Sequence, residues 1–165
     1  MNLFLLRHAL AVEREEFDFA TDEARPLVAK GRRQLRVTAV VLRDLKIQFD
    51  AIWSSPLVRT RQTAEIIVRE MKNKKTLVLV EELRPGGSTK KLVQKISAQK
   101  KLPENLLLVG HEPDLSDVLS LLVTGKPGAG FALKKGALAK LEIETFRAGQ
   151  CATLAWLLPP KLGRR

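Results

Sequence analysis

Asn2-Leu3-Phe4-Leu5-Leu6-Arg7-His8-Ala9 sets four large apolar residues directly before an arginine and a histidine, and Leu106-Leu107-Leu108-Val109-Gly110-His111 repeats the arrangement further on. An unbroken apolar run of this length is what a strand buried on both faces requires. Two more such runs, Ala51–Trp53 and Thr76–Val80, lie between them, each separated from the next by a stretch with helical spacing. Strands alternating with helices predict an α/β fold: a three-layer sandwich with a mostly parallel central sheet flanked by helices. The first helix is expected over about Val28 to Leu45, with Leu35, Ala39, Leu42 and Leu45 turned inward. A second should begin at Pro56, capped by Ser55. A third covers Thr89–Ala98 behind Gly86-Gly87, and a fourth runs from Pro113 to Leu122. Beyond Gly125-Lys126-Pro127-Gly128 the pattern changes to Ala137–Glu144 and Cys151–Leu158, read as a terminal strand pair on the same sheet.

The 165 residues suit one domain, taken here as 1–165, and 45% hydrophobic content is enough for a core. Intrinsic disorder is excluded as the main state. A single cysteine, Cys151, can form neither an intrachain disulfide nor a Cys-rich zinc site, so a cytoplasmic location is the default expectation. Arg7 and His8 interrupt the apolar start, which argues against a signal peptide. No apolar run approaches the roughly 18 residues of a membrane span. Cys151, Trp53 and Trp156 are read as core.

The formal charge of +11 is unevenly spread. Residues 1–25 hold three basic residues against six acidic ones, and the rest of the chain 26 against 12. Nucleic acid is not expected as the partner, because the chain has no Tyr and only 5% aromatics to supply stacking platforms. The lysines, including Lys90, Lys91 and Lys95, form a basic exterior able to steer an anionic ligand or an acidic protein.

Both histidines of the chain, His8 and His111, follow apolar strands directly. In a parallel sheet the C-terminal strand ends line the ligand crevice, so both imidazoles stand where sites form. The third element is Ser54-Ser55-Pro56-Leu57-Val58-Arg59-Thr60-Arg61-Gln62-Thr63-Ala64. Arg59 lies near the start of the second helix, where the dipole makes a cation unfavourable by about 0.3–1 kcal/mol unless an anion is also there. Arg61 should point to a different, exposed face.

Leu6-Arg7-His8-Ala9, the 54–64 stretch and Gly110-His111-Glu112-Pro113 together resemble the histidine phosphatase superfamily, also called the phosphoglycerate mutase-like or Arg-His-Gly family. Within it the chain looks like the SixA-type phosphohistidine phosphatases, sharing their small size, Arg25-Pro26-Leu27 and Glu82-Leu83-Arg84-Pro85. Ala9 stands where the superfamily usually has glycine. The resemblance implies that His8 attacks phosphorus to give a covalent phosphohistidine, which water hydrolyses. It implies further that Arg7, Arg59 and His111, with Arg25, hold the phosphoryl oxygens, the loss of one such donor costing about 10²–10³ in rate. For the general acid it points to Glu82, with Asp18 and Asp22 as rivals. No cofactor is implied. No metal is expected at His111-Glu112-Pro113-Asp114, because a helix starting at Pro113 aims Glu112 and Asp114 apart.

Only 29 positions separate Glu82 from His111, too few for the helical cap found in relatives that act on small phosphorylated metabolites. An uncapped crevice admits a phosphohistidine displayed on a protein, a phosphotransfer domain or phosphocarrier. A small phosphoester substrate and a non-catalytic anion-binding module are the alternatives.

Overall fold

The computed structural model describes residues 1–15 and 22–160. Six strands, β1 (Asn2–Arg7), β2 (Ala51–Ser54), β3 (Leu77–Leu79), β4 (Asn105–Gly110), β5 (Leu138–Glu142) and β6 (Thr153–Leu158), form one sheet in the order β3-β2-β4-β1-β5-β6. The first four strands in that order are mutually parallel, and β5 and β6 are antiparallel to their neighbours, as the sequence pattern predicts. Among the described residues four α-helices connect or follow the strands: α1 (Ala29–Asp44), α2 (Val58–Glu70), α3 (Thr89–Ser97) and α4 (Asp114–Thr124).

The layering follows from strand order. Parallel crossovers are right-handed, so the connections moving outward from β1 to β2 and on to β3 lay α1 and α2 on one face. The return from β3 to β4 lays α3 on the other, where α4 joins it. Side-chain alternation supplies both cores: Leu3 and Leu5 of β1 pack with Leu92, Ile96, Leu115 and Leu119 of α3 and α4, whereas Phe4 and Leu6 pack with Leu35, Ala39, Ala64 and Ile67 of α1 and α2. The central strands are thus covered twice, which is why they read as continuous apolar runs. The edge strand β3 is shorter than its apolar run, and Val78 and Leu79 are exposed. Cys151 also departs from expectation: it precedes β6 and is only half-buried.

The fold sets the histidines side by side. Arg7 pairs with Gly110 across the central β1–β4 ladder, so the residues that follow, His8 and His111, leave the sheet next to each other at its C-terminal edge. Gly31, in the first turn of α1, brings that helix against the chain leaving His8. A Cβ there would lie 2.3 Å from the Leu10 carbonyl oxygen.

Candidate active site

His8 is 7% exposed and His111 3%, with ring centroids 5.2 Å apart. The His8 Nδ1 lies 2.8 Å from the Ala9 carbonyl oxygen. A carbonyl only accepts, so Nδ1 carries the hydrogen and the Nε2 lone pair is left free. Burial, with help from Arg59, Arg7 and Lys135, pushes the His8 pKa down to about 4, against the opposing bond to Ala9. The ring is therefore a neutral base at pH 7. Ala9 itself is fully buried and lies outside the left-handed region, and its N–H donates to Thr63 Oγ1 at 3.2 Å, so the methyl group is accommodated.

His111 Nε2 lies 3.0 Å from Ser55 Oγ. Ser55 is fully buried, and its oxygen already accepts from the Leu57 N–H at 3.4 Å. Among the described residues its own proton has only His111 Nε2 to go to, which puts the imidazole hydrogen on Nδ1. Burial, followed by Arg59 and His8, pushes the His111 pKa down to about 3. This engagement also explains why α2 does not start at Pro56. Ser55 faces His111, Leu57 stays extended, and the helix begins at Val58, placing Arg59 second in it.

Other residues of the 54–64 stretch have structural partners. Thr60 Oγ1 donates to the Ser55 and Leu57 carbonyls, and Thr63 Oγ1 to the Arg59 carbonyl. Gln62 Oε1 accepts from the Leu27 N–H at 2.8 Å and from Arg32, tying the Arg25-Pro26-Leu27 segment to α2. Arg61 is half-exposed and pairs with Glu65, away from the site.

Three arginines share one pattern. Arg7 Nη1 donates to the Leu133 carbonyl; Arg25 Nη1 donates to the Val12 carbonyl and its Nη2 pairs with Asp22; Arg59 donates through Nη1 and Nη2 to the Asp22 carbonyl and carboxylate. Each guanidinium is held by its outer edge, and in each the buried Nε–H has no partner among the described residues. A buried donor without an acceptor is costly, and three guanidinium groups with such a donor lining one crevice equip it to bind an anion. Arg7, His8, Arg25, Arg59 and His111 all line this crevice, whose volume is about 240 Å³, together with Arg14, Asp22, Glu112 and Lys135.

The carboxylates fall differently from the sequence expectation. Glu82 does not line this crevice but a small neighbouring cavity that it shares with His111 and Asp114. Both its oxygens lie 3.1 Å from Lys95 Nζ, and its own backbone N–H, then Lys95, hold its pKa below the ordinary range against the effect of burial. Asp22 does line the crevice, but burial is outweighed by Arg59, Arg14 and Arg25, so its pKa is also lowered and it serves as a shared counter-ion. Both shifts favour the carboxylate form, which suits a counter-ion better than a proton donor. Asp18 lies outside the described residues. Arg84, half-buried and paired with Glu23 and Glu81, joins the early loop to the β3–α3 connection and does not line the crevice.

Glu112 is the carboxyl that sequence reasoning passed over. Burial raises its pKa, opposed by the hydrogen bond from Ser116 and by Arg7. Its place directly after His111 at a strand end was the available signal; Ser55, read as a cap, carried none, since its partner is 56 residues away.

The profile of the histidine phosphatase superfamily (branch 1) matches residues 3–99. An uncharacterised protein of Picosynechococcus sp. is 34% identical over 142 residues, covering 86% of this chain and 84% of that one. The phosphohistidine phosphatase SixA of Escherichia coli is 26% identical over 97% of this chain and 94% of its own length. Among solved structures, the protein histidine phosphatase SixA complexed with tungstate superposes with a TM-score of 0.82 at 22% identity, covering 97% of each chain. The alpha-ribazole phosphatase from Shigella flexneri gives 0.77 at 19% identity over the full length of both.

Proposed function

The chain belongs to the histidine phosphatase superfamily, branch 1, and is a phosphatase; from that premise we propose that it removes phosphoryl groups from phosphohistidine on a protein, through a phosphohistidine formed on its own His8. The observation that carries this reading is the state of His8: a buried neutral imidazole whose Nδ1–H is fixed on the Ala9 carbonyl, leaving Nε2 nucleophilic. Around it the guanidinium groups of Arg7, Arg25 and Arg59 and the Nδ1–H of His111 offer donors to the phosphoryl oxygens. Phosphoryl transfer needs little more, since its rate comes from positioning and charge stabilisation.

The size of the site supports the protein substrate. Pockets that enclose small molecules are commonly about 300–1,000 Å³. This crevice, about 240 Å³, suits a phosphorylated side chain entering from outside better than an engulfed metabolite. The residues between Glu82 and His111 are used up by α3 and β4, which leaves none of them to form a cap over the entrance. On the side of α3, Lys90 and Lys91 lie exposed at the first turn, where they can meet an acidic protein surface.

The test is phosphoryl release from a phosphohistidine-bearing phosphotransfer domain beside phosphoserine and p-nitrophenyl phosphate. The protein substrate should be hydrolysed at the highest kcat/KM, and an acid-labile phosphoenzyme should form and vanish in His8→Ala. Turnover retained by His8→Ala overturns the covalent route; a preference for the small esters overturns the protein substrate.

A further inference from the structure

We propose that Glu112 is the catalytic acid and base of this site, giving a proton to the leaving group as His8 is phosphorylated and taking one from water as the phosphoenzyme is hydrolysed. The inference rests on the phosphatase reading above and assigns the proton transfers it leaves open.

Position is the first argument. Glu112 follows His111 at the end of β4 and lines the crevice with His8, Arg7 and Arg59, whereas Glu82 does not. The second is how the carboxyl is held. Ser116, one turn along α4, donates to Oε2 at 2.6 Å, and Oε1 is shut from solvent with no partner among the described residues. A buried carboxyl oxygen without a donor favours the neutral acid over the carboxylate. The third is the balance of charges around it. The loss of water, helped by Asp114 at the start of α4, pushes it toward the neutral form, while Ser116, Arg7 at the end of β1 and the Leu133 backbone draw it toward the charged one. His8 and His111 are neutral at pH 7 and add little, while Arg59 and Lys135, also lining the crevice, have carboxylates of their own in Asp22 and Glu13. The net result is a carboxyl whose pKa is raised, a shift toward the protonated form that a general acid needs.

The chemistry balances without a further reactant. In the first step the His8 Nε2 lone pair forms a bond to phosphorus, the bond from phosphorus to the leaving nitrogen or oxygen breaks, and that atom takes the Glu112 proton with the departing electron pair. Glu112 is left as a carboxylate. In the second step a water oxygen bonds to phosphorus while Glu112 takes its proton, and the bond to His8 Nε2 breaks, restoring both residues.

The leaving group provides the test, because an acid matters most where the departing atom is basic. In single-turnover phosphorylation of His8, Glu112→Gln should slow transfer from phosphoserine by about 10²-fold or more and from p-nitrophenyl phosphate by no more than about threefold. The wild-type rate with phosphoserine should fall as pH rises through the Glu112 ionisation, and the variant should lose that limb. Equal slowing on both esters, or none on phosphoserine, overturns the proposal. Should Glu112→Gln fail to fold, Ser116→Ala serves instead: without the hydroxyl that favours the carboxylate, the alkaline limb moves to higher pH, and an unmoved limb is the refuting result. Failure of the phosphatase reading shows separately, as a wild-type protein that forms no phosphoenzyme on His8.

Discussion

Replacing Asp22 by asparagine keeps the size of the side chain and removes the charge that three arginines share. Arg59 is 4% exposed and gives two hydrogen bonds to this residue, one to the carboxylate at 3.0 Å. Arg25, 13% exposed, pairs with it at 2.8 Å, and Arg14, 73% exposed, at 3.0 Å. A hydrogen bond to a charged group contributes about 1.5–3 kcal/mol, and an exposed pair about 0–1 kcal/mol. The backbone carbonyl of residue 22 and one amide oxygen still accept in the variant, so the net loss should be about 2–4 kcal/mol. For a chain of this size that lowers Tm by roughly 10 °C. The depressed Asp22 pKa gives the sign with pH. Its contribution is whole above the ordinary carboxylate value of 3.8 and is lost as the pH falls through the lower folded value, so the two stabilities converge in acid.

The same substitution separates two roles for Asp22 in the chemistry. A carboxylate that orients the guanidinium groups of Arg25 and Arg59 positions them for phosphoryl oxygen, and its loss should cost about 10–10²-fold in kcat by misplacing those donors. A carboxylate that instead competes with the phosphoryl group should raise kcat/KM when removed. Inorganic phosphate, supplying the missing negative charge, should stabilise Asp22→Asn more than wild type in thermal melts. An unchanged or increased kcat in the variant refutes the positioning argument.

Acid should destabilise the protein before its carboxylates are protonated. His8 and His111 have folded pKa values of about 4 and about 3, against 6.5 for the free side chain, so the unfolded chain binds more protons and stability falls as pH drops below 6.5. Each costs on the order of 3 kcal/mol by pH 4. Denaturant unfolding at pH 7, 5 and 4 reads the slope, which His111→Asn should make shallower; an identical slope contradicts the buried neutral state. Gly31→Ala should destabilise by about 3 kcal/mol or more, because its Cβ would sit 2.3 Å from the Leu10 carbonyl oxygen and two backbones would have to separate. Denaturant midpoints and activity should fall together, since Leu10 lies two residues beyond His8; a neutral midpoint refutes the close approach.

The sequence was most legible where burial alone decides structure. Leu3–Leu6 and Leu106–Val109 are covered on both faces, and that one condition shows which residues are strands, that they lie centrally, and that His8 and His111 leave at one edge. It was less legible where a residue's partner is distant in the chain. Ser55 before Pro56 has the local chemistry of a helix cap, and only the neighbouring strand β4 brings the imidazole that takes it instead. The carboxylates make the point most sharply. Glu82, Asp22 and Glu112 are the same functional group, and whether each holds a proton depends on what is folded against it. Lys95 reaches Glu82 from α3, while Arg14, Arg25 and Arg59 converge on Asp22 from the early loop and α2. Glu112 is desolvated and, among the described residues, makes no ion pair within 4 Å, although Arg7 attracts it. Spacing can nominate carboxyl groups for acid chemistry, but the free energy that separates acid from counter-ion is set by three-dimensional charge balance, and here that balance favours the residue beside His111.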